Sequence, residues 1–176
     1  MKRHLLLTAA IAAGAIGLQA ATRYVDSQGT GDGSSWENAS GDLQATIDAS
    51  EAGDEIWVKA GNYKPTLKIV STKPRSLSFK LKSGVSLYGG FAGTETAKEE
   101  RKLKADGKKW EWANPTILSA DDEVADKWIR ELDYGSSSRY SWTVTGNENN
   151  FYHCVVANEE LKERTVVDGF TMKGGN

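Results

Sequence analysis

Apolar residues along this chain come in short runs, not in long helical stripes. Ile56, Trp57 and Val58 form one such run inside GDEIWVKAGNY, positions 53–63. β-Branched and aromatic residues in a brief apolar stretch favour a strand. Gly53 and Asp54 ahead of the run are turn formers, and Gly61 and Asn62 break it. The layout returns in GVSLYGGF (84–91), PTILSADD (115–122), NFYHCVVANE (150–159) and TVVDGFTMKGG (165–175), and RYVD (23–26) reads as a first strand. Phe79, Leu81, Val85, Leu87 and Phe91 fall on odd positions with Lys80, Lys82, Ser86 and Tyr88 between them, interrupted by Ser83 and Gly89. That alternation predicts one buried and one solvated face. Positions 42–52 form the one helical stretch, with Leu43 and Ile47 on one face, Asp42 as N-cap and Gly53 as stop. A helix ahead of a series of strands would cover the open end of a sheet stack.

Two segments break the rhythm. Positions 94–114 carry Glu95, Lys98, Glu99, Glu100, Arg101, Lys102, Lys104, Lys108 and Lys109. They read as a solvated excursion with a helical turn at 97–103. Positions 121–149 form a second polar excursion, holding Trp128, Tyr134, Tyr140, Trp142 and a serine run at 136–138. The strand spacing is irregular because these segments are inserted. What repeats is a strand–turn unit, as in a solenoid with insertions.

The length of 176 residues allows one domain. Lys2 and Arg3, an apolar run from Leu5 to Leu18, and the small residues Ala20 and Ala21 have the layout of a secretory signal peptide cut after Ala20. The domain is then 21–176, exported to the extracellular space or the outer cell surface. No stretch is long enough to span a membrane. Removing 1–20 leaves 20 basic against 24 acidic residues, a net charge of −4. That balance argues against a nucleic-acid or anionic-membrane partner. Cys154 is the sole cysteine, so the core alone must hold the fold.

The segments YVDSQGTGDGSSWENA and DLQATIDASEAGDEIWVKAGNYKPT resemble the start of secreted right-handed parallel β-helix proteins of the pectin-lyase-like superfamily. VSLYGGFAGTET, NPTILSADD, the 153–156 run and TVVDGFTMKGGN resemble the coils that follow in large surface proteins of Bacteroidetes-like bacteria. The resemblance covers about 22–176 and rests on the order of the segments. It implies an all-β fold, a right-handed parallel β-helix (solenoid) entered through an N-terminal capping α-helix. It also implies export, often to the cell surface. The chain stops at Asn176 directly after a strand, whereas a solenoid hides both ends. It is therefore read as the N-terminal part of a longer protein. The alternative is that 165–176 lies at a protected edge, or forms an open edge that pairs with another subunit.

Candidate chemistry is sparse. Asp121 and Asp122 are adjacent, and neighbours in a strand or turn point apart, so they read as a turn and not a catalytic pair. His153 lacks a second ligand at metal spacing and reads as structural; Cys154 beside it reads as a buried thiol. Asp26 and Asp32 lie in a loop with Gly29, Gly31 and Gly33, but two carboxylates make a weak calcium loop, and G-x-G-x-G is not a dinucleotide fingerprint. No catalytic residue, metal site or cofactor is assigned. Trp36 and Trp57 read as core. Trp110, Trp112, Trp128, Tyr140 and Trp142 lie in or beside the excursions and are the candidate glycan contacts, against the alternative that they pin loops onto the coil. The expected function is a secreted or surface scaffold, adhesin-like or glycan-contacting, with a polysaccharide or cell-surface glycan as partner. The alternative is a polysaccharide lyase or glycoside hydrolase whose active residues lie in coils beyond Asn176.

Overall fold

A computed structural model describes residues 20–106, 108, 110–125, 127–133, 139–157 and 159–175, with backbone alone at 128, 131–133 and 139–142. Positions 1–19 of the segment read as a signal peptide lie outside the described residues, as do Tyr134 and the serine run at 136–138.

The strands are β1 (Thr22–Val25), β2 (Glu55–Lys59), β3 (Gly61–Tyr63), β4 (Phe79–Lys80), β5 (Ser86–Phe91), β6 (Thr116–Ser119), β7 (Lys127–Asp133), β8 (Arg139–Thr145), β9 (Val155–Val156), β10 (Val167–Asp168) and β11 (Phe170–Lys173). The helix α1 (Leu43–Ala49) follows β1, and 3-10 turns occupy Pro74–Ser76 and Lys98–Glu100. Three sheets are wholly parallel: β1-β2-β5-β10, β3-β6-β11 and β4-β9. From β2 onward the chain visits the first, second and third sheets, then repeats that order through β5, β6 and β9, and reaches the first two again with β10 and β11. Residues at equivalent places stack: Ile56 on Leu87 on Val167, Asn62 on Ile117 on Thr171, and Phe79 on Val155.

The core lies between the three sheets. Ile56, Val58 and Leu87 come from the first, Tyr63 and Leu118 from the second, Phe79 from the third, with Val25, Val85, Ala120 and Cys154. α1 adds Leu43 and Ile47 to the same cluster. The Asp42 carboxylate caps it by accepting from the Ala45 N–H at 3.0 Å. The helix is shorter than the sequence predicts, and Gly53 is not its stop. Ser50 ends it, with an extended backbone, an N–H bonded to the Ile47 carbonyl and a hydroxyl donated to the Thr46 carbonyl at 2.8 Å. Gly53 instead donates its N–H to the Gly84 carbonyl at 2.9 Å, tying together the turns that precede β2 and β5.

Two other expectations are corrected. Gly61 and Asn62 do not end the strand region; the chain bends at Ala60 and they begin β3 in another sheet. Phe91 does not share the inner face with Leu87. Trp57 pairs with Tyr88 and Lys59 with Phe91, so β5 holds one extra residue and the alternation inverts. Phe91 is fully buried on the opposite face, stacked on Trp57 at 4.8 Å and 12°. Tyr24 and Trp36 complete that aromatic group, with Tyr24 4.8 Å from Trp36 and 5.7 Å from Trp57. Trp57 is thus buried as expected but outside the central core, and Trp36 is half-buried.

The corner between the first and second sheets leaves no room for a side chain. A Cβ on Gly169 would sit 2.4 Å from the Gly89 carbonyl oxygen, and one on Gly89 would sit 2.6 Å from the Gly169 carbonyl oxygen. Gly169 also has φ +82, where L side chains are strained. Thr116, fully buried at this corner, accepts from the Gly90 N–H at 2.9 Å and lies 3.2 Å from the Val58 carbonyl it donates to.

Gly169→Ala should destabilise the fold by about 2 kcal/mol, through both the clash and the backbone strain. Gly175→Ala, whose Cβ would find its nearest atom at 3.8 Å, should change stability by less than about 0.5 kcal/mol. Urea denaturation of both variants checks the difference, and equal midpoints would refute the corner constraint.

Candidate functional site

The excursion between β5 and β6 is built by its own charged residues. Glu95 is buried, and its carboxylate accepts the backbone N–H groups of Ala92, Gly93 and Thr94 at 2.7, 2.9 and 3.0 Å. Burial pushes its pKa up, but those backbone donors outweigh it, so the carboxyl titrates below the usual range. The Glu95 carbonyl also accepts from the Trp36 indole N–H at 2.9 Å. Next, the Glu100 carboxylate folds back onto the Thr96 and Ala97 N–H groups at 2.6 and 3.3 Å. The expected helical turn is present as the short 3-10 turn Lys98–Glu100.

Arg101 is the hub of the segment, although by residue type it is one charge among many there. Its side chain is 11% exposed. Nη1 donates to the Gly89 carbonyl at 2.9 Å, Nε to the Lys98 carbonyl at 3.0 Å, and Nη2 to the Asp168 carboxylate at 2.8 Å. The guanidinium lies 4.6 Å from the Trp112 ring centre and 5.4 Å from that of Phe91. One side chain therefore joins the excursion to β5 and to β10. Only its spatial partners distinguish it from Lys102 or Lys104, and apart from Lys98 those partners lie ten or more residues away.

Beyond Arg101 the chain doubles back. Leu103 bridges Trp112 in antiparallel fashion, Lys104 N–H donates to the Glu111 carbonyl at 2.8 Å, and Ala113 N–H to the Lys102 carbonyl at 2.8 Å. This narrow loop separates the two tryptophans. Trp112 packs over Gly90, where an added Cβ would meet its ring at 2.9 Å, and takes the pinning role. Trp110 is 71% exposed. Both line an open cleft of about 370 Å³, with Lys104 and Glu111 beside them and Phe170 and Thr171 of β11 on the other side. Lys108 Nζ stands 5.5 Å from the Trp110 ring centre. The cleft offers a flat apolar ring next to charged and hydroxyl hydrogen-bonding groups.

Trp128, Tyr140 and Trp142 lie elsewhere. The segment 121–149, read as a loop, contains β7 and β8, an antiparallel hairpin in register from Lys127↔Thr145 to Asp133↔Arg139. Its backbone register pairs Trp128 with Val144, Arg130 with Trp142 and Leu132 with Tyr140. These six positions share one face of the ribbon, because directly opposed residues lie on the same side. The structure thus groups Trp110 with Trp112, and Trp128 with Tyr140 and Trp142, in two separate elements.

The remaining candidates take structural places. Asp121 accepts from the Glu123 N–H at 2.8 Å and pairs with Lys173 at 3.1 Å; Asp122 accepts from the Val124 N–H at 2.9 Å. Both carboxylates close the turn after β6. Asp26 pairs with Lys59 at 2.6 Å, and Asp32 accepts from the Ser34 N–H at 2.9 Å. Cys154 is buried, and that burial pushes its thiol up to about 11. The His153 side chain is exposed, along a cleft of about 450 Å³ shared with Ile69, Val70 and Tyr152. Among the described residues no helix is long and apolar enough to cross a membrane, and no cluster of three His, Cys, Asp or Glu side chains could hold a metal ion. Comparison with protein-family models, with curated proteins and with solved structures finds no match.

Arg101→Ala should cost about 2 kcal/mol, since it strips charged hydrogen bonds from two carbonyls and from Asp168. Arg101→Lys should recover less than half of that, because one ammonium cannot span three acceptors and stack on Trp112. Urea midpoints of the three proteins decide it. Glu95 gives a pH signature. Its folded pKa lies below its unfolded value, so its contribution is full above about pH 4.5 and is lost as pH falls further. Glu95→Gln should flatten the acid limb of stability in that window, as followed by Trp fluorescence against pH.

Proposed function

We propose that this chain forms coils of an exported, right-handed parallel β-helix capped by α1, and that it serves as a scaffold presenting aromatic side chains to glycans. The repeating order of the three parallel sheets supports the solenoid reading: each pass of the chain lays one strand on each sheet it reaches, as a coil does. The apolar run at 5–18 behind Lys2 and Arg3 supports export. The observation that carries the binding role is Trp110. A tryptophan exposed to 71% beside Lys104, Glu111 and Thr171 is of no use to the core. Its flat face suits the apolar face of a sugar ring, while the neighbouring groups reach hydroxyls. The described carboxylates Asp121, Asp122, Asp26 and Asp32 are engaged in turns and ion pairs, which favours a binding scaffold over hydrolysis at these positions.

Binding of the chain to an array of polysaccharides and cell-surface glycans tests this reading. Trp110→Ala should weaken binding about tenfold while leaving the urea midpoint unchanged. If Trp128→Ala with Trp142→Ala abolishes binding and Trp110→Ala does not, the contact lies on the hairpin instead. No glycan bound by the unaltered chain would refute the proposal.

A further inference from the structure

Among the described residues, β7 and β8 pair only with each other. A two-stranded ribbon standing alone in water is marginal, and a third strand is what stabilises it. The free edge of β7 is open: the described side chains on that strand, Lys127, Ile129 and Arg130, are all exposed, Ile129 to 41%. The strand is regular over its whole length, with no bulge in its register and no proline, two of the devices that blunt an edge, though its charged side chains are a third.

We propose that β7 is a self-association edge, pairing antiparallel with β7 of a second copy of this chain about a twofold axis through Ile129. In that register the sequence of the strand is self-complementary. Lys127 stands opposite Glu131 of the second copy, and symmetry makes that pair twice. Trp128 stands opposite Arg130 of the second copy, an aromatic against a cation, and Ile129 meets its own equivalent. Moving the axis to Arg130 sets two guanidinium groups face to face, and moving it to Glu131 sets two carboxylates, which destabilises a cross-strand pair. β8 has no such code, because Arg139 is the only charged residue it holds. The product is a four-stranded sheet, β8-β7-β7-β8, in which the Trp128, Tyr140 and Trp142 positions of both copies lie on one continuous face. The contact is isologous and closes as a dimer.

Sedimentation equilibrium of the full chain measures the association. The unaltered protein should dimerise reversibly. Lys127→Glu and Glu131→Lys should each weaken the dimer about tenfold by setting like charges opposite, and the double variant should restore it to within about threefold. Ile129→Cys should give a disulfide-linked dimer on mild oxidation, since opposed residues across an antiparallel pair approach within disulfide range. Cys154 is buried and does not compete. A chain that stays monomeric at all concentrations overturns the proposal. So does a dimer indifferent to the single charge reversals or not restored by the double one, and so does a monomer whose hairpin is occupied by glycan alone.

Discussion

Two backbone turns meet at van der Waals distance where the first sheet passes into the second, and the stack depends on that contact. Parallel strands repeat at about 4.8 Å, so a corner in one pass lies directly on the corner of the next. At Gly89 and Gly169 the carbonyl of each turn occupies the space a side chain of the other would need. Thr116 then supplies what the bent backbone cannot, accepting the Gly90 N–H from within the core. A buried N–H without a partner would be costly. The corner is therefore kept narrow by glycine and satisfied by one hydroxyl, and the parallel register on either side follows from it.

Bulk excluded from the corner is placed outside it. The extra residue in β5 carries Phe91 out of the core and onto Trp57, where Tyr24 and Trp36 close around it. Arg101 lies over the same group and reaches across to Asp168. The excursion after β5 is thus held by an aromatic cluster, a guanidinium fork and the backbone donors gathered by Glu95, not by strand pairing in the sheets. Charged side chains suit this job: a carboxylate or guanidinium satisfies several backbone groups at once, whereas an apolar residue satisfies none. The same tethering sets apart Trp112, pressed on Gly90, from Trp110, two residues away and open to solvent.

What the sequence made legible follows from the range of the forces involved. Local signals sufficed for the strands flanked by glycine and for the N-cap of α1, because turn chemistry and alternation act over a few residues. The hairpin was hidden because Arg130 interrupts the apolar face of β7 and the opposite face is mostly charged, so composition suggested a loop although Trp128 and Leu132 in β7, and Tyr140, Trp142 and Val144 in β8, keep a period of two. Phe91 was misplaced by a bulge that leaves no mark in one strand's sequence; it exists only relative to β2. Arg101 could not be separated from its charged neighbours, since its acceptors on Gly89 and Asp168 come together only when β5 and β10 stack. For Trp110 and Trp112 residue type alone could not distinguish a packed ring from an exposed one; the antiparallel doubling of the loop separates them.

Both inserted segments leave and rejoin the sheets without disturbing them. The chain departs after β5 and returns as β6, departs again after β6 and returns as β9, and the parallel pairing continues across each gap. The entropic cost of closing such a loop grows only logarithmically with its length, each doubling adding about 0.6 kcal/mol. Strand register, by contrast, is fixed by core packing and by the corner. A stack of this kind can carry long excursions at small cost, provided their ends are tied near the sheets. Glu95 and Arg101 tie one; the turn at Asp121 and Asp122, held to Lys173 and to the Asn150 side chain, ties the other. The residues that could meet a partner, Trp110 on the first segment and the β7 edge on the second, both lie beyond those ties. They can therefore vary in chemistry without reaching the core.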